Sequence, residues 1–130
     1  MKFRIIAAAC AAFSIAAPAY AGAAQKFAAE IPNIPGKSLI ANEVTYAPGE
    51  ASPAHTHGTS GFIYAYVISG EIESKVNDGE ARIYRAGESW SEPPGAIHSI
   101  SRNASKTEPA KFLAVFVVDT NDKQKMTPIK

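Results

Sequence analysis

Two seven-residue runs, Phe62-Ile63-Tyr64-Ala65-Tyr66-Val67-Ile68 and Phe112-Leu113-Ala114-Val115-Phe116-Val117-Val118, are apolar throughout and rich in aromatic and β-branched residues. Successive side chains of a strand point to opposite faces, so a strand without polar alternation needs cover on both. One face then looks into a barrel interior and the other towards a second sheet or another subunit. In the first run Ile63, Ala65 and Val67 share one face, and Tyr64 and Tyr66 the other. With the aliphatic set lining the interior, the tyrosines are structural or interfacial, because their rings bring large buried area and each hydroxyl needs only one partner.

The segments around these runs are short and punctuated by glycine and proline. Ser38 to Ala47 is the first convincing strand, with a break in alternation at Asn42-Glu43 that a bulge would explain. Glu71 to Val76 alternates and runs into Asn77-Asp78-Gly79, a tight-hairpin signal, before Ala81 to Tyr84. Turns are expected at Pro48-Gly49, Arg85-Ala86-Gly87-Glu88 and Pro93-Pro94-Gly95. Short strands at this spacing predict an all-β antiparallel sandwich or barrel. No helical period of convincing length appears after residue 21, and there is no internal repeat, glycine-rich phosphate loop or serine-nucleophile motif.

All three histidines fall in two of these segments. Gly49-Glu50-Ala51-Ser52-Pro53-Ala54-His55-Thr56-His57 reads as extended, which puts His55 and His57 on one face with ring nitrogens able to converge. His98 ends the run Gly87-Glu88-Ser89-Trp90-Ser91-Glu92-Pro93-Pro94-Gly95-Ala96-Ile97-His98, about forty residues on, a separation that a β-sheet closed on itself can bring together.

These two runs resemble the paired motifs of the small single-domain cupins, over about Lys37 to Asp119. The first has glycine, five residues, then His-x-His, and ends at Gly70; the second has glycine, five residues, Pro-x-Gly, two residues and histidine. The resemblance implies a double-stranded β-helix, or jelly-roll barrel, holding one divalent metal on three histidines and a glutamate. Carried over, His55, His57 and His98 are the imidazole ligands. The glutamate has no counterpart: Ile63 stands seven residues before Gly70, and the loop after His57 is one or two residues longer than the pattern. Glu92, Tyr64 or water is left as a fourth donor, although Glu92, just before Pro93, reads more readily as an exposed turn residue. Trp90 reads as core or pocket wall. Asn103 falls one place later than the motif's asparagine, and Arg102 and Asn103 read as part of a solvated loop.

Residues 1–21 have the order of a secretory signal: Lys2 and Arg4, an apolar stretch from Ile5 to Ala17, and Ala19-Tyr20-Ala21 as a cleavage site. A helix docked on the domain is the competing reading, and the apolar stretch is too short to span a bilayer. Cleavage would remove Cys10, the single cysteine, and leave a chain sized for one domain, exported to the periplasm or secreted, without disulfides. Residues 22–36, with Pro32 and Pro35, read as an unpaired arm, 37–119 as the barrel and 120–130 as a tail. The formal charge of the whole chain is +1, so no basic field points to nucleic acid or, after cleavage, to a membrane. Open jelly rolls leave edge strands that a second copy could cover in a homodimer.

Neutral imidazole suits iron, zinc, copper and nickel and, with oxygen donors, manganese. Three such ligands leave positions open for water, dioxygen or a small chelating substrate. Two functions are expected from this chemistry: a metal-dependent, dioxygenase-like oxidoreductase acting on a small organic molecule, or a non-catalytic module that binds a metal or small ligand.

Overall fold

The computed structural model describes residues 22–122 and 127–129, and the expected signal segment lies outside them. No helix occurs among the described residues. Ten strands follow one another: β1 Gly22–Glu30, β2 Lys37–Tyr46, β3 His55–Thr56, β4 Phe62–Ser69, β5 Glu71–Val76, β6 Arg82–Arg85, β7 Ser89–Glu92, β8 Ile97–Asn103, β9 Ala110–Asp119 and β10 Thr127–Pro128. They form two antiparallel five-stranded sheets, ordered β1-β2-β9-β4-β7 and β10-β3-β8-β5-β6. The fold is an all-β jelly roll.

Its core lies between the sheets. From β4 the inward side chains are Ile63, Ala65 and Val67, at 2, 1 and 0% exposure, and they pack with Tyr46, Ile72, Trp90, Ala110, Phe112 and Ala114. On the opposite face of β4 no second sheet of the described chain provides the expected cover. Phe62, Tyr64, Tyr66 and Ile68 remain 40–45% exposed against the described chain.

The expected arm is also corrected in part. Residues 22–30 pair along β2 from Gly22↔Thr45 to Glu30↔Ser38, and only the proline segment after Glu30 turns. Proline cannot donate to a ladder, so pairing stops where Pro32 begins to interrupt it. The bulge lies in β1, between Gln25 and Phe27, while β2 pairs without a break along β9. Asn42 interrupts the alternation of β2 because its side chain faces a cavity, and Glu43 on the other face meets Lys111 at 3.1 Å. Within the expected tail, β10 pairs with β3, which places chain beside the first histidine.

Two turns of the same construction deliver the histidine segments. At Ala47-Pro48-Gly49-Glu50 and Pro93-Pro94-Gly95-Ala96, the fourth amide donates to the first carbonyl at 3.0 and 3.1 Å. The third residue is a glycine with φ of 72° or 71°. Proline presets the second position and glycine supplies the positive φ of the third, as a type II turn requires. Asn103 belongs to this scaffold and not to a solvated loop. Its buried amide donates to the carbonyls of Ala47 and Glu108, and its oxygen accepts from the Ser105 amide. Arg102 is exposed and pairs with Glu73 at 2.5 Å.

Candidate metal centre

His55 on β3 and His98 on β8 are direct cross-strand partners, and His57 follows β3 by one residue. The His57 amide donates to the Ala96 carbonyl at 2.9 Å, and the Gly95 amide to the Gly58 carbonyl at 3.1 Å. The second proline-glycine turn is thereby fastened to the end of the His-x-His segment. These ties bring three imidazoles from two distant stretches into one buried cluster, each 7% exposed or less. One ligand atom from each of His55, His57 and His98 lies within 4.8 Å of the others.

Each ring has a protein group near it. His55 Nδ1–H donates to the Pro53 carbonyl at 2.7 Å, which leaves Nε2 unprotonated and facing His57 Nε2 at 3.2 Å. His98 Nε2 is 2.8 Å from Ser74 Oγ, and its Nδ1 is 3.3 Å from Glu92 Oε1. Burial is the main cause that lowers both His55 and His98, the latter to about 4. Both rings are neutral near pH 7, the form that can donate a lone pair to a cation.

Glu92, like Asn103, was placed wrongly by the sequence reading. It is 2% exposed, not a solvated turn residue. Trp90 Nε1–H donates to Glu92 Oε1 at 3.0 Å, and Oε2 lies 2.8 Å from His57 Nε2. Burial by itself would raise this carboxyl, but the neighbouring imidazoles and the Trp90 N–H outweigh it and hold it below the usual carboxylate range. The register explains its position. Glu92 on β7 pairs directly with Ile63 on β4, the residue seven before Gly70. The carboxylate absent from β4 therefore enters the same layer of the barrel from the adjacent strand. Tyr64, the other protein candidate, projects from the outer face at 43% exposure and does not reach the cluster. Trp90 is buried in the hydrophobic core, outside the cavity lining, and orients Glu92.

These residues fit a metal, by the following test. Glu92 Oε2 is buried and has no hydrogen-bond partner, although an imidazole nitrogen stands 2.8 Å away. One ring nitrogen, His57 Nε2, faces two acceptors, His55 Nε2 and Glu92 Oε2, and its single proton cannot align with both. A cation among them would satisfy every lone pair at once. Spacings of 2.8 and 3.2 Å are also near the roughly 3.0–3.4 Å between adjacent donors bound at about 2.1 Å.

A cavity of ≈ 150 Å³ opens beside the cluster, with Val44, Ile63, Ala65, Phe112, Ala114 and Phe116 as apolar walls. Its volume corresponds to about five waters. No lysine or arginine lines it. At one side the Tyr46 hydroxyl sits between Ser52 Oγ at 2.6 Å and Ser101 Oγ at 2.8 Å. The sequence reading missed Asn42, Tyr46, Ser52, Ser74 and Ser101. Ser74 carried a signal, because it takes an inward position between Ile72 and Val76 in an alternating strand.

Comparison with known proteins agrees with the fold. The chain is similar to a solved structure of TT1209 from Thermus thermophilus, at 25% identity over 78% of this chain and 87% of that one, with a TM-score of 0.61. An uncharacterized conserved protein with a double-stranded β-helix domain from Klebsiella pneumoniae subsp. pneumoniae MGH 78578 matches in fold, at 21% identity, 88% and 89% coverage and a TM-score of 0.67. Oxalate oxidase in complex with the substrate analogue glycolate shares the fold at 24% identity and a TM-score of 0.59, over 70% of this chain. This chain spans only 46% of that protein. No curated protein sequence matches. The cupin domain model matches residues 42–116, more than half of the chain and both histidine segments, and the protein belongs to the cupin domain family.

Proposed function

We propose that this protein is a metal-dependent enzyme, of the dioxygenase-like oxidoreductase kind, acting on a small organic molecule. His55, His57 and His98 would hold one divalent transition metal, with Glu92 as the fourth donor. The observation that carries this reading is the orphaned Glu92 Oε2, buried beside three converging imidazoles and at the wall of a cavity. When bound, the metal supplies Lewis acidity and open coordination positions. The chain's own contribution is orientation and exclusion of water. The Pro53 carbonyl sets the tautomer of His55, Ser74 holds His98, and Trp90 holds Glu92. The apolar walls would limit the water that reaches the histidines.

A cavity of ≈ 150 Å³ restricts the substrate to a few heavy atoms. Likeness to a structure named oxalate oxidase, bound to glycolate, supports a small oxygen-rich acid as the first compound class to assay. With no cationic side chain in the lining, such an acid would depend on the metal for charge neutralisation. The second reading, a non-catalytic binding module, draws on the Tyr46, Ser52 and Ser101 hydroxyls, which are already bonded to one another. Glu92 favours the enzyme, since it is a convergent polar group with valence to spare.

The proposal includes export after cleavage behind Ala21, supported by the charged start, apolar stretch and small-x-small site. Intact-mass analysis of exported material should then show Gly22 as the first residue. Metal analysis of protein purified without chelators should find about one transition-metal ion per chain, lost in His57→Ala. Turnover of small carboxylic acids with oxygen uptake should be lost with it. Equal metal content in the two proteins would overturn the site, and a metal-loaded protein inert to all such acids would favour the binding module.

A further inference from the structure

Three hydroxyls, from Tyr46, Ser52 and Ser101, gather in the lining of the cavity that the histidines share. Tyr46 ends the inward row of Asn42, Val44 and Tyr46 on β2. The Ser52 amide donates to the Ser101 carbonyl at 2.9 Å, which ties the loop after the first proline-glycine turn to β8. Ser101 stands three residues beyond His98, so strict alternation would turn one of them outward. A break in the β8 pairing, where Lys75 faces Ile100 but Val76 faces His98, leaves Ser99 as an extra residue and brings both inward.

The trio holds more protons than it uses. Three hydroxyls carry three protons, and the Tyr46 hydroxyl makes one contact with each serine, at 2.6 and 2.8 Å. Whichever way these two bonds point, one O–H is left without an acceptor. Burial raises Tyr46 above its usual range, so its hydroxyl keeps its proton near neutral pH. We propose that this trio is the binding site for a neutral oxygen, the hydroxyl or carbonyl of a small monocarboxylic acid whose carboxylate lies at the metal. This deepens the proposed function and rests on it.

Charge selects a neutral oxygen. No lysine or arginine lines the cavity, and Glu50 is close enough for its charge to act on Tyr46. A second carboxylate beside the trio would be buried without a counter-ion, which costs far more than burying a hydrogen-bonded hydroxyl. A methyl group in the same place would leave the spare O–H unpaired, a loss of about tenfold in affinity. The fitting class is a hydroxy or oxo acid of a few heavy atoms, in preference to a dicarboxylate.

Titration calorimetry on zinc-loaded protein tests this, because zinc has no redox chemistry with which to consume a probe. Two pairs of equal shape are compared, glycolate with propionate and β-hydroxypropionate with butyrate, beside malonate as the dicarboxylate. At least one hydroxy acid should bind about tenfold tighter than its methyl counterpart, and malonate more weakly than β-hydroxypropionate. Tyr46→Phe/Ser52→Ala/Ser101→Ala removes all three hydroxyls together and orphans none of them. It should cut the preference to about twofold or less, with zinc affinity and circular dichroism unchanged. Should this protein fail to fold, Tyr46→Phe/Ser101→Ala, which changes only the two buried members, replaces it with the same expected fall. A preference that survives in the folded, zinc-loaded variant would belong to the metal and overturn the proposal, as would malonate binding tighter than β-hydroxypropionate. A zinc-loaded wild type with no preference in either pair would overturn this proposal alone. A wild type that takes up no zinc would overturn the metal centre and this proposal with it.

Discussion

The two faces of β4 are built from similar residues and meet opposite fates. Ile63, Ala65 and Val67 are almost fully buried, whereas Phe62, Tyr64, Tyr66 and Ile68 keep about two-fifths of their surface exposed. The inward face does three jobs, because Ile63 packs in the core, lines the cavity and stands opposite Glu92. The outward face has no role within the described chain. Hydrophobicity along a strand therefore shows that a face wants cover, but not whether the chain itself supplies it. The same lesson holds for charge. Glu43 on the outside is solvated and paired with lysines, while Glu92 on the inside is held among imidazoles and left with an unused oxygen.

The largest expected effect is on the inner face. Ile63→Ala should cost about 2–5 kcal/mol in urea unfolding, since it empties part of a 2%-exposed site whose neighbours cannot collapse freely. A loss under about 1 kcal/mol would mean that this layer is looser than its burial implies.

Acid should act on the inner face through His98 first. Burial holds His98 at about 4 in the metal-free fold, against 6.5 when unfolded. The unfolded chain therefore binds more protons than the native state as pH falls below 6.5. Stability is full above about pH 6.5 and declines towards pH 4, by up to about 3 kcal/mol from this group. His55 shifts in the same direction, and Glu92 extends the loss below 4.5. Urea midpoints of chelator-treated protein at pH 7, 5.5 and 4 will show this, and midpoints level from pH 7 to 5 would contradict it.

Glu92→Gln keeps the shape and removes the charge. Metal affinity should fall about 10–100-fold, the usual consequence of losing a ligand's charge or its support, with unfolding of the metal-free protein much less affected. Competition against a chelator would measure it, and unchanged affinity would place Glu92 outside the coordination sphere. The smallest effect belongs to the outer face. Tyr64→Ala should change the stability of dilute monomer by no more than about 1 kcal/mol, because most of the ring's environment there is solvent. A larger loss that grows with protein concentration would transfer the effect to association.

Much of this molecule was legible from residue order alone. Two apolar runs, the Asn77-Asp78-Gly79 hairpin and the proline-glycine turns are local signals, and local backbone preference decides them. His55 and His57 share a face because strands alternate, which needs no knowledge of the rest of the fold. Glu92 was different. Its parity with Trp90 could be read from Ser89-Trp90-Ser91-Glu92, but its burial depends on β7 lying next to β4 in the register Ile63↔Glu92. Pairing between segments about thirty residues apart is a long-range choice with no imprint on either one. Tertiary structure likewise decided that Tyr64 points away from the histidine cluster, that Asn103 fastens a turn and that Ser74 meets His98. Periodicity along a chain tells which side chains travel together. Only closure of the two sheets determines what they face, because burial and charge pairing are properties of neighbours that the chain brings from elsewhere.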